Sequence, residues 1–135
     1  MGNFRLSALA MALLVGLSAV GQVKPEWKPV IGTWEGDSVC TVPGSPCHDE
    51  HALYRIKPDK DDPDKITLEA FKVVDSRPQF MGNISCRYDA EKQILTCNGT
   101  KRDVWSFNVA EGSMDGTLTV GKDKQVYRKI TLKKK

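Results

Sequence analysis

Residues 103–132 read DVWSFNVAEGSMDGTLTVGKDKQVYRKITL, and this stretch decides the fold. Trp105, Phe107 and Val109 alternate with Ser106 and Asn108. Met114, Gly116, Leu118 and Val120 alternate with Asp115, Thr117 and Thr119. Val126, Arg128, Ile130 and Leu132 alternate with Tyr127, Lys129 and Thr131. Successive side chains of a strand point to opposite faces, so a two-residue period predicts strands with one face on a core and one in water. Glu111-Gly112-Ser113 and Gly121-Lys122-Asp123 separate the runs and read as tight turns.

The same pattern extends towards the amino end. Eight strands are expected, over about 31–40, 51–57, 65–75, 80–88, 93–98, 103–109, 114–120 and 124–132. Each proline is read outside a strand interior, where it would remove a ladder donor. Two prolines also argue against a helix over Lys24–Val30. The fold expected is all-β: a single antiparallel up-and-down barrel of about eight strands, with a two-sheet β-sandwich as the alternative. Closure removes exposed sheet edges.

Residues 1–21 read as a signal peptide and residues 22–135 as the β-barrel domain. Arg5 supplies positive charge, Leu6–Val20 is apolar and uncharged, and Ala19-Val20-Gly21 offers small residues for cleavage. The apolar run is shorter than a membrane span of ~20 residues. The expected location is therefore secreted or periplasmic, with no membrane anchor after cleavage. The formal charge of +3, reduced by one when Arg5 leaves, is too small to indicate nucleic acid as a partner. Lys133-Lys134-Lys135 reads as a solvated tail.

An oxidising compartment makes the four cysteines a disulfide framework. A hairpin with a loop at 90–93 puts Asp89 opposite Ile94 and Cys86 opposite Cys97. Opposed Cβ atoms lie ~4.5–5.5 Å apart, close to what a disulfide needs. Cys86–Cys97 and Cys40–Cys47 are the expected pairs.

Arg128 breaks the alternation by placing a charge on the apolar side, where an unpaired charge is costly. In a closed barrel the first strand lies beside the last, so Trp34 is an available partner through a cation–π contact, with Gly32 permitting close approach. Gly32-x-Trp34 near the first strand's start, with Arg128 in the last strand, resembles the signature of the calycin superfamily, which includes lipocalins, fatty-acid-binding proteins and avidin-like barrels. The chain also resembles small secreted bacterial proteins with Gly-Thr-Trp-Glu-Gly near the start and Tyr-Arg near the end. The calycin resemblance implies that Trp34 and Arg128 form a structural pair closing one end of the barrel.

Catalytic and metal readings are weaker. Cys47-His48-Asp49-Glu50-His51 holds both histidines of the chain. Thiolate and imidazole suit zinc or copper, but paired cysteines are lost as thiolates and the spacing fits no common structural zinc pattern. No metal and no cofactor are expected. Asp59, Asp61, Asp62 and Asp64 read as a solvated turn rather than a calcium loop. No serine lies in a Gly-x-Ser-x-Gly elbow. Glu35 and Asp37 share a strand face read as external, not a glycosidase pair. No catalytic residue is assigned, and a non-enzymatic protein is expected.

The interior is then the candidate site. Its aromatic lining would be Trp34, Tyr54, Tyr88, Trp105 and Phe107, joined by Ile56, Leu95 and Leu118. A filled core is the default; the functional reading is an apolar cavity of ~300 Å³ or more, open at one end. The second reading gives an extracytoplasmic protein that binds a small apolar ligand. The alternative is a protease- or lysozyme-inhibitor type, binding an extracellular protein through loops or the arm Gln22–Pro29.

Overall fold

A computed structural model describes residues 23–135. The leader assigned to residues 1–21 lies outside that range. Eight strands follow a one-turn 3-10 helix, Pro25–Trp27: β1 Gly32–Cys40, β2 Glu50–Pro58, β3 Ile66–Val74, β4 Arg77–Asp89, β5 Ile94–Asn98, β6 Val104–Ala110, β7 Ser113–Val120 and β8 Gln125–Lys134. Each strand pairs antiparallel with the next, and β1 pairs with β8, so the sheet is a closed up-and-down barrel. The barrel is compatible with a calycin-like fold.

Two boundary readings change. The 3-10 turn forms despite its proline because Pro25 occupies the first helical position, where no donor is lost. β4 begins at Arg77, earlier than expected, and takes in Pro78, which pairs with Val73 beside the hairpin turn. That turn is Asp75–Ser76, with φ of 50° and 62°. Positive φ at both central residues suits the twist of a two-residue hairpin. Without an Asn-Gly or Gly-Gly pair the turn is hard to see in sequence.

Both expected disulfides form, Cys40–Cys47 and Cys86–Cys97. The hairpin register is as read, with Asp89 opposite Ile94 and Cys86 opposite Cys97. Cys86 and Cys97 both point into the core and are almost fully buried.

Antiparallel order places the carboxyl end of β1 and the amino end of β2 at one mouth of the barrel. The β3–β4, β5–β6 and β7–β8 connections lie there too. The opposite end is plugged by the 3-10 turn and filled by Trp34, Leu95, Phe107, Met114 and Leu132, each with no exposed surface. Phe107 fits because Gly116 faces it across the β6–β7 pair: a Cβ there would stand 2.5 Å from the ring carbon Cδ1.

The expected Trp34–Arg128 pair does not form. β1 and β8 are neighbours, but their register sets Trp34 opposite Lys134 and Cys40 opposite Arg128. The two residues are thus about six positions apart along the seam, roughly 20 Å at ~3.3 Å per residue. Lys134 takes the place assigned to Arg128. Its Nζ lies 5.6 Å from the Trp34 ring centroid and donates to Lys28 O at 3.2 Å. Gly32 permits this approach, since a Cβ there would come within 2.9 Å of Lys134 Cε. Trp34 Nε1 donates to Val30 O at 2.8 Å and ties the closing turn to the barrel. The carboxyl end is therefore not a free tail. Lys134 belongs to β8, Lys135 N donates to Thr33 O at 2.9 Å, and Lys135 Nζ pairs with Glu35 at 2.5 Å.

A second departure lies in β8. An irregularity after Leu118 pairs Arg128 with Leu118 and Val126 with Thr119, leaving Tyr127 as the extra residue. This bulge turns Val126 to the outer face, away from the side of Arg128, Ile130 and Leu132. Val126 is correspondingly exposed.

Candidate functional site

The open half of the barrel holds a cavity of about 340 Å³. Every strand but β5 contributes to its lining. Space arises from a row of small side chains. Tyr54 on β2 faces Ala70 on β3, and Ala70 faces Gly82 on β4. Next to Gly82 the β3–β4 ladder is irregular between Ala70 and Phe71, where Phe71 pairs with Phe80 and Met81 is extra. Gly82 has φ of 150°, a conformation that side-chain-bearing residues avoid. The bulge and the glycine widen the mouth at this wall.

Met81, Ile84, Trp105 and Leu118 supply apolar wall, while the Phe71 ring packs outside against Phe80 and Arg55. Another wall is polar. Arg128 of β8, Ser38 of β1 and Glu50 of β2 come from three adjacent strands, brought together by barrel closure. Arg128 Nη1 donates to Ser38 O and Ser38 Oγ, each at 3.3 Å. Arg128 Nη2 donates to Glu50 Oε1 at 3.5 Å. The Arg128 side chain is only 13% exposed and that of Glu50 23%. The inward charge therefore has a partner, as Arg128 requires, but the partner is a carboxylate rather than an indole.

Tyr54 completes this group. Burial, and then the charge of Glu50, push its phenol up to about 12. The hydroxyl is thus protonated at neutral pH and able to donate. An alkaline absorbance titration is expected to show this tyrosine ionising near pH 12, and Tyr54→Phe to remove that late step. Because the folded state holds the proton longer than the unfolded chain, stability is full below pH ~10 and falls as pH rises from there through the folded value. A titration complete by pH ~10.5 would place the hydroxyl in water.

Of the expected lining, Tyr54, Trp105 and Leu118 face the cavity. Trp34, Phe107, Ile56 and Leu95 are instead packed in the filled half. Tyr88 lines two surface grooves beside the closing turn. Glu50 joins the site because β2 begins one residue before the expected start, and it shares the inward parity at 50, 52 and 54 with Tyr54.

Comparison of the chain with known protein families and with curated proteins finds no match. The site must therefore be read from its own geometry.

The other polar clusters resolve into surface structure. His51 sits on β2 with Nε2 2.8 Å from Glu35 Oε1 and Nδ1 3.4 Å from Asp37 Oδ1. The Glu35 contact, and then Asp37, raise the His51 pKa, while Lys135 and then His51 lower that of Glu35. His48 stands apart, exposed on the loop closed by Cys40–Cys47. Asp49 Oδ1 accepts from Cys40 N at 2.8 Å and braces that loop. In the aspartate turn, Asp59 Oδ1 accepts from Asp61 N and Asp62 N at 2.9 Å, and Oδ2 accepts from Thr67 Oγ1 at 2.7 Å. These bonds lower the Asp59 pKa, the Thr67 contact most. The aspartates thus serve the turn itself.

Proposed function

We propose that this chain is a non-enzymatic extracytoplasmic protein that binds a small, mainly apolar ligand in the open end of a calycin-like barrel. The observation that carries the reading is the division of the interior. One half is filled by large side chains, while the other holds about 340 Å³ lined by aromatic and aliphatic groups over a few polar ones. That combination of volume, apolar wall and convergent polar groups suits a small-molecule site. Gly32-x-Trp34, with the closing turn and Lys134 packed about the indole, supports the calycin-like reading. Two disulfides are compatible with an extracellular or periplasmic location. The inhibitor alternative draws less support, because Trp27 and Val30 hold its candidate arm against the barrel.

Titration with the neutral fluorophore N-phenyl-1-naphthylamine tests the reading. Saturable one-site binding is expected, with fluorescence enhancement and energy transfer from Trp105. Ala70→Trp should fill the cavity and abolish binding while leaving the β-sheet circular dichroism spectrum intact. Absent binding, or binding that a folded Ala70→Trp protein retains in full, would overturn it.

A further inference from the structure

We propose that the ligand's apolar body ends in an uncharged head group with a carbonyl oxygen beside an N–H, as in a primary amide, lactam or urea, held by Arg128 and Glu50. The inference rests on the cavity being a ligand site and adds the chemistry of its polar wall.

The first observation is that the Arg128–Glu50 pair is loosely made. The ion pairs of the described residues vary in length, with 2.5 Å for Lys135–Glu35, 2.6 Å for Lys24–Asp64 and 3.7 Å for Lys65–Asp62 in an exposed turn. The interior pair stands at 3.5 Å, and the Ser38 contacts at 3.3 Å. Charge-assisted bonds ordinarily shorten to ~2.7–2.9 Å. Arg128 and Glu50 are mounted on strands β8 and β2, on either side of β1, and that spacing holds the two groups apart. A guanidinium carries five N–H donors. Here those donors meet Ser38 and Glu50 at long range and face a cavity.

The second observation is the balance of charge. Arg128 and Glu50 stand side by side on the polar wall with Tyr54 lining the cavity beside them, and Asp103 adds a second carboxylate to the lining from the loop before β6. A carboxylate head would satisfy Arg128 but set another anion beside the part-buried Glu50. An ammonium head would satisfy Glu50 and face Arg128. Like charges at close range in a shielded site are disfavoured. A neutral group that accepts from Arg128 and donates to Glu50 meets both and leaves the net charge unchanged. The Tyr54 hydroxyl can serve either atom of such a head. Trp105 in the wall suits a planar body behind it.

Calorimetric titration at pH 7 with 2-naphthamide, 2-naphthoate and 2-acetylnaphthalene tests this, since the three share a body and differ in the head. The amide is expected to bind about ten-fold or more tightly than either of the others. Glu50→Gln should narrow the amide's advantage over the carboxylate, Glu50→Leu should remove its preference over the ketone by taking away the acceptor for the N–H, and Arg128→Gln should weaken amide and ketone binding together. Tighter binding of naphthoate to the unaltered protein would overturn the proposal by making Arg128 a plain anion site. Equal binding of all three would overturn it by showing that the head is not read. If neither these compounds nor N-phenyl-1-naphthylamine binds, the proposal falls together with the cavity reading; binding of the fluorophore alone overturns only the head-group assignment.

Discussion

Trp34→Ala is expected to destabilise the barrel by about 3–5 kcal/mol, the usual cost of emptying a large aromatic site in a core. Three losses coincide at this position. The indole is fully buried in the filled half of the barrel. Its Nε1 donates to Val30 O, and Val30 is itself fully buried, so the carbonyl would lose its partner where water does not readily replace it. Its ring is also the surface that Lys134 covers. In a domain of this size the melting temperature should drop by on the order of 15 °C. Thermal melts followed by circular dichroism check this; a shift of only a few degrees would mean that the closing turn is held independently of the indole. Arg128→Leu is expected to cost much less, because its partner Glu50 lies near the open mouth and can turn towards water.

Removal of the Cys86–Cys97 bridge is the second large effect. For loops of this length, chain-entropy reasoning assigns about 3 kcal/mol to either disulfide. The two bridges differ in their surroundings. Cys86 and Cys97 are buried on facing core positions, whereas Cys40–Cys47 closes a loop at the mouth. Serine replacement at 86 and 97 therefore adds buried hydroxyls to the entropic loss, and replacement at 40 and 47 does not. The double variant Cys86→Ser/Cys97→Ser should melt well below Cys40→Ser/Cys47→Ser in parallel scans under identical conditions. Equal melting temperatures would show that loop closure accounts for the whole contribution of each bridge.

Strand parity was legible because burial on a β-sheet is local and periodic. Trp105, Phe107, Met114, Leu118, Ile130 and Leu132 were read inward from alternation alone. The Cys86–Cys97 pair followed because one hairpin fixes its register within a dozen residues. The site was legible only in part. Tyr54, Trp105 and Leu118 could be assigned to the interior, but nothing local distinguishes the filled half from the open half. The inward charge of Arg128 was visible, whereas its partner was not, because Glu50 is far away in sequence. The bulges at Met81 and Tyr127 were invisible for a related reason: each is one extra residue, and its position depends on the strand opposite.

The sequence by itself determined the strand count, the antiparallel order, both disulfides and the inward and outward faces except beyond a bulge, as at Val126. Each depends on neighbours along the chain or across a short turn. Tertiary structure decided how the first strand slides along the last. That register gives the Trp34 ring to Lys134 and sends Arg128 to the far end, beside Ser38 and Glu50. A slip of two residues preserves every inward face, so alternation cannot choose among such registers. Only the packing of the whole closed barrel selects one.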